Sequence, residues 1–161
     1  MKALPSFAIV ASIMVAGPAL AQATSPADYV AKAGAGDLYE RTSSQLVMGS
    51  TKNPKVRQFA QMMITDHTKS TNEVKAAAKQ AGITPQPPAL MPDQARMIAE
   101  LRAAPAASRD QVYLTQQKAA HQKALALHKG YAQTGTAAPL KMVAGKVAPV
   151  VQHHIDMLNR M

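Results

Sequence analysis

The positions of proline and glycine divide most of this chain into long segments of helical composition. Two segments open with a cap residue followed by proline, Ser25–Pro26 and Asn53–Pro54, which suits the start of a helix. Residues that favour β-strands are few and do not alternate, so an all-α fold is predicted. The four predicted helices run from Pro26 to Gly49, from Pro54 to Ala81, from Ser108 to the residue before Gly135, and from Thr136 or Pro139 almost to Met161. Pro149 is expected to kink or divide the last one.

The lengths of the connections predict how these helices are arranged. The first two helices, and the last two, are joined by a few residues each, so each pair should form an antiparallel hairpin. Between the second and third lies a proline-rich segment, Gly82 to Ala107, with a short helix predicted over Asp93 to Arg102. This segment is long enough to run the length of the bundle. The chain is therefore predicted to be a ferritin-like four-helix bundle with one long crossover, although a simple up-and-down bundle is an alternative.

The N-terminus has the three-part pattern of a secretory signal peptide. Lys2 precedes an apolar run, and the small residues Ala19, Ala21 and Ala23 follow it. We expect residues 1–21 to be the signal, with cleavage after Ala21 or Ala23, and residues 24–161 to form the helical domain. The apolar run is too short for a membrane anchor, and no segment after the signal is expected to span a membrane. The mature protein should be exported to the periplasm or associated with the outer membrane.

Composition limits the chemistry of this domain. The chain has no cysteine, which excludes disulfides, cysteine nucleophiles and thiolate metal sites. Its formal net charge is +9, which favours anionic surfaces such as those of the cell envelope. Export disfavours nucleic acid as a partner. The basic residues are scattered along the chain, so a solvated basic surface is the simpler interpretation.

Several motifs, in order along the chain, resemble those of one bacterial family. They are Asn53-Pro54-Lys55-Val56-Arg57-Gln58-Phe59-Ala60, Asp66-His67-Thr68, Asn72-Glu73-Val74, Asp110-Gln111-Val112-Tyr113 with His121, and Pro149 followed by His153-His154-Ile155. The sequence thereby resembles the exported family called domain of unknown function 4142. The resemblance implies a ferritin-like bundle in the envelope and implies no activity. Arg109 departs from the pattern, because the family usually has an aromatic residue there.

Four polar residues are candidate metal ligands because each lies on a helical stripe that should face the core. They are Glu40, His67, His121 and His154, one on each predicted helix and all near the middle of the bundle. Bundle metal sites are built from side chains that converge in this way. The alternative is a buried hydrogen-bond network in which these groups satisfy one another. We expect His128 and His153 to be exposed or at an edge.

The type of metal is left open among copper, iron and zinc. A di-iron oxidase is disfavoured because the usual site needs Glu-x-x-His on two helices, a motif that this chain lacks. Methionine near histidine would favour copper, although methionine is also ordinary core filler. The residues predicted to support the site are Met63, Asp66, Tyr113, Gln117 and Met157.

These observations predict a periplasmic binding module of unknown activity that holds one metal ion in its core. The alternative is a structural or stress protein of the envelope that docks on anionic surfaces through its basic face. A metal-dependent redox enzyme ranks third. Nucleophilic catalysis and phosphate binding find little support, since the sequence has no serine-nucleophile motif and no glycine-rich phosphate loop.

Overall fold

The computed structural model describes residues 24–161, and the predicted signal peptide lies outside this range. The described chain is built from helices joined by short turns and one longer connection, and the all-α prediction is confirmed. The helices are α1 (Pro26–Met48), α2 (Pro54–Gln80), α3 (Pro92–Ala103), α4 (Ala106–Thr134) and α5 (Ala138–Leu158).

Local sequence explains where the first two long helices begin and where α2 ends. The Ser25 side chain accepts a hydrogen bond from the amide of Asp28, and the Asn53 side chain accepts one from the amide of Lys55. Gly82 follows α2 with a φ of 73°, in the left-handed region that glycine adopts without steric cost. Pro149 lies inside α5 and does not divide it.

Contacts between helices fix their directions. Tyr29 contacts His128 and Ser44 contacts Tyr113, so α1 and α4 are antiparallel. Between α2 and α4 the residue numbers of contacting pairs increase together, since Phe59 lies by Tyr113 and His67 lies by His121. These two helices are therefore parallel and diagonal in the bundle, as the predicted long crossover requires.

The crossover carries α3, which packs along the outside of α1 and α4. The Gln116 side chain of α4 donates a hydrogen bond to the Met97 carbonyl at 3.0 Å. Arg109 donates hydrogen bonds to the carbonyls of Leu101 and Ala104, which lie at the C-terminal end of α3. Arg109 thus holds the end of α3 beside the start of α4.

Two apolar clusters occupy the two ends of the bundle and enclose a polar layer between them. The Tyr29 cluster includes Tyr29, Val74 and Val147, and the Phe59 cluster includes Phe59 and Leu158. The polar layer contains the predicted metal ligands. None of the helices in residues 24–161 is long and apolar enough to cross a membrane.

Candidate metal centre

Three histidines from three different helices meet in the polar layer. His67 comes from α2, His121 from α4 and His154 from α5, and their exposed fractions are 5%, 0% and 1%. One nitrogen of each ring lies within 4.8 Å of the corresponding nitrogen of the other two. The three histidines are therefore close enough to hold a metal ion.

The outer nitrogen of each imidazole faces a hydrogen-bond acceptor. His67 Nδ1 lies 2.8 Å from Asp37 Oδ1, and His154 Nε2 lies 3.0 Å from Asp66 Oδ2. His121 Nδ1 lies 3.0 Å from the carbonyl oxygen of Gln117. A backbone carbonyl and a carboxylate can only accept, so the proton of each neutral ring belongs on its outer nitrogen.

The inner nitrogens consequently carry lone pairs that point toward one another. His121 Nε2 and His154 Nδ1 are 3.3 Å apart. A hydrogen bond between them would need a proton on one of these two nitrogens, but each neutral ring already carries its single proton on the outer nitrogen. His67 Nε2 is buried and has no hydrogen-bond partner among the described residues. A proton or a metal cation placed between these nitrogens would satisfy the arrangement.

Burial and the neighbouring charges together decide which rings stay neutral. Burial, together with the charges of His67 and His154, lowers the pKa of His121 to about 3. Burial and the charge of His67 lower the pKa of His154 to about 4, despite the opposing effect of Asp66. Burial also opposes the charged form of His67, but the hydrogen bond to Asp37 and the charges of Glu40, Asp37 and Asp66 outweigh it, so its pKa is raised. Positive charge in this layer is thus favoured at His67.

Glu40 lies beside the histidines but on the outer side of His121. Its Oε1 atom is 3.5 Å from His121 Nδ1, the nitrogen that points away from the other two rings. The Oε2 atom is buried and has no hydrogen-bond partner in the described part of the chain. The structure therefore brings Glu40 close to the three histidines, but its carboxylate lies at the outer nitrogen of His121 and not among the inner nitrogens.

The predicted supporting residues fall into two groups. Asp66 and Gln117 contact the outer nitrogens of His154 and His121, as described above. Tyr113 instead lies 2.8 Å from the Ser44 hydroxyl. The two methionines, Met63 and Met157, pack in or against the Phe59 cluster.

Asp37 and His128 have positions that the sequence pattern did not predict. Asp37 is 3% exposed and holds His67 in place, and its position three residues before Glu40, on the same face of α1, was the available signal. The prediction that His128 is exposed or at an edge is wrong, because His128 is 4% exposed and its Nδ1 lies 2.9 Å from the Tyr29 hydroxyl. His153 is exposed, as predicted.

These features define a four-helix bundle with a crossover and a buried cluster of three histidines. The chain belongs to the family described as Domain of unknown function (DUF4142), which matches residues 13–161. This confirms the resemblance seen in the sequence motifs. No curated protein matches the chain.

One solved structure has a similar fold. It is the crystal structure of a DUF305 fragment from Deinococcus radiodurans, with a TM-score of 0.70 and 18% sequence identity. The alignment covers 84% of this chain and 96% of the fragment. At this identity the likeness supports the fold alone.

Proposed function

We propose that this protein is an envelope binding module that holds one transition-metal ion through His67 Nε2, His121 Nε2 and His154 Nδ1. The observation that carries the proposal is that the inner nitrogens of three imidazoles converge, while the outer nitrogen of each ring faces a hydrogen-bond acceptor. Metal-binding histidines commonly donate their other N–H to a carboxylate or a backbone carbonyl in this manner.

The charges around the cluster support a cation at its centre. Asp37 and Asp66 each contact one of the rings, and Glu40 lies behind a third. A metal ion would take the position of the positive charge that these carboxylates otherwise stabilise on His67. Because the metal needs neutral imidazoles, the lowered pKa values of His121 and His154 also favour it, whereas the raised pKa of His67 means that the metal must displace a proton from that ring.

Three imidazole nitrogens favour a transition metal of intermediate softness. Imidazole suits zinc, copper, iron and nickel, whereas magnesium and calcium prefer oxygen ligands. In a tetrahedral site with metal–nitrogen bonds of about 2.0–2.1 Å, the nitrogens are about 3.3 Å apart, which is the His121–His154 separation. Three protein ligands leave a fourth position for water or another small ligand.

Thermal unfolding with and without metal tests this proposal. A metal that binds only the folded state at about 100 times its dissociation constant adds about 2.7 kcal/mol, which raises the unfolding midpoint by roughly 10 °C. We expect this increase with Zn²⁺ or Cu²⁺ and none with Mg²⁺, which serves as the matched control. An unchanged midpoint with every transition metal would instead make the histidines a buried hydrogen-bond network.

The proposed compartment rests on the N-terminal signal pattern. Intact-mass measurement of protein recovered from the cell envelope should show a new N-terminus at Gln22 or Thr24. Retention of Met1 on envelope protein would contradict export.

A second candidate function is docking on an anionic envelope surface. The net charge of +9 supports it, and among residues 24–161 only Lys69 and Lys123 form lysine or arginine ion pairs. Retention on anionic vesicles should then fall steeply as salt rises, since exposed charges are screened beyond about 10 Å at 0.1 M ionic strength. Retention that ignores salt, or no retention at low salt, would remove this candidate.

A further inference from the structure

A cleft lies beside the histidine cluster, between α1 and α4 and beneath the crossover helix α3. Its volume is about 370 Å³, and its walls are largely apolar, with Ala33, Met97 and Leu127 among them. Pockets that bind small molecules have volumes of about 300–1,000 Å³ and combine apolar walls with a few polar groups. The cleft has the size and the lining of such a pocket.

The polar groups of the cleft are acidic. Asp37 and Glu40 both line it and are each 3% exposed. The oxygens of Asp37 already lie within hydrogen-bond distance of His67 and Thr71, but Glu40 Oε2 has no partner among the described residues. A buried carboxylate oxygen without a hydrogen-bond donor is costly, so the cleft should receive a group that donates.

We propose that this cleft binds a small organic ammonium ion with an apolar body, whose N–H groups donate to the carboxylate of Glu40. The positive head would lie against the buried carboxylate of Glu40, and the apolar body would lie against the alanine, methionine and leucine side chains. This site shares Asp37 and Glu40 with the surroundings of the proposed metal centre, but it does not use the inner nitrogens of the histidines.

The rim of the cleft is consistent with a cationic ligand. Lys123 at the rim is paired with Asp93 of α3 at 2.9 Å, so its charge is compensated. Lys32 also lines the cleft and is exposed to solvent, which screens its charge. An anionic ligand would instead have to place its charge beside Glu40, which like-charge repulsion disfavours.

Three probes with one apolar body and different heads test the proposal. Benzylamine, benzyl alcohol and benzoate are titrated by calorimetry into the mature protein at pH 8. We expect benzylamine to bind about tenfold or more tightly than benzyl alcohol, since a hydrogen bond from a charged donor to a carboxylate is stronger than one from a neutral hydroxyl. Benzoate should not bind. Equal binding of the three probes, or a preference for benzoate, would overturn the proposal.

Two variants locate the binding site. Glu40→Gln should remove the preference for benzylamine over benzyl alcohol. Ala120→Phe, which fills the cleft, should abolish binding of both, whereas Ala126→Phe on the exposed face of α4 is the matched control and should not. If Ala120→Phe binds benzylamine as the wild type does, the cleft is not the site.

Each titration is repeated after treatment with a chelator. An amine bound to Glu40 should keep its affinity, whereas an amine bound to a metal ion should lose it. Loss of binding with the chelator would overturn the ammonium pocket and leave the metal proposal standing. Failure of metal binding alone would leave the ammonium pocket standing.

Discussion

The bundle buries histidine in two environments that differ in how the ring nitrogens are satisfied. His128 lies at the end of the bundle near the Tyr29 cluster, where one tyrosine hydroxyl contacts its Nδ1 atom. His67, His121 and His154 lie in the polar layer, where acceptors take the outer N–H groups and lone pairs meet at the centre. All four are at least nine-tenths buried, so burial alone does not distinguish a structural histidine from a candidate ligand. The partners of both ring nitrogens do.

The largest expected effect comes from removing one ring from each environment. His121→Ala and His128→Ala both delete a buried ring, and each should lower the free energy of unfolding by about 2–4 kcal/mol without metal. Only His121→Ala should also abolish stoichiometric zinc binding. Urea unfolding with and without metal, together with metal analysis, measures both effects. Loss of zinc in His128→Ala, or its retention in His121→Ala, would erase the distinction between the two environments.

The next effect concerns the acceptors behind the rings. Asp37→Asn should weaken zinc binding by about 10- to 100-fold, because it removes the carboxylate that orients His67. Asp66→Asn is the matched control for exposure, since the Asp66 side chain is 33% exposed and its charge is better screened. We expect a smaller loss there, measured by competition with a chelator of known affinity. An equal loss, or none in either variant, would contradict the proposed role of Asp37.

A third effect is the dependence of stability on pH without metal. Burial lowers the pKa of His128 to about 4 from an ordinary value near 6.5, so the unfolded chain binds more protons between these values. Its contribution to stability is thus complete above pH 6.5 and is lost as pH falls toward 4, by on the order of 3 kcal/mol. His128→Gln should make the acid-side decline in stability shallower in urea titrations. An unchanged decline would mean that His128 is charged in the folded protein.

The smallest effect is expected at the rim of the cleft. Lys123 and Asp93 form an exposed ion pair at 2.9 Å. Exposed pairs contribute about 0–1 kcal/mol, so Lys123→Ala should change the free energy of unfolding by less than about 1 kcal/mol. A larger loss would show that the pair fixes the crossover helix to the bundle.

The sequence predicted those features that depend on local chemistry. A cap residue and its neighbours act within one or two helical turns. The starts of α1 and α2 at Ser25–Pro26 and Asn53–Pro54, and the end of α2 at Gly82, could therefore be predicted from the sequence. The crossover could be predicted from the length of the connection that follows Gly82. The stripe pattern also identified His67, His121 and His154 as inward-facing. These predictions needed no knowledge of which helices touch.

The sequence could not predict partners that are distant along the chain. Asp37 and His67 are 30 residues apart, and Tyr29 and His128 are 99 apart, so their contacts depend on helix packing and rotation. The buried face of α4 is mixed in polarity, so its sequence pattern predicted that His128 is exposed or at an edge. Which nitrogen of each ring faces inward likewise became visible only with the bundle assembled.

X-ray absorption spectroscopy on the zinc-loaded protein tests the central claim most directly, because it reports the atoms bound to the metal. The account predicts a nitrogen-rich first shell at about 2.0–2.1 Å, with the outer-shell scattering of three imidazoles. The spectrum of the His128→Ala protein should be the same. A shell of oxygen atoms without imidazole scattering would contradict the three-histidine metal centre.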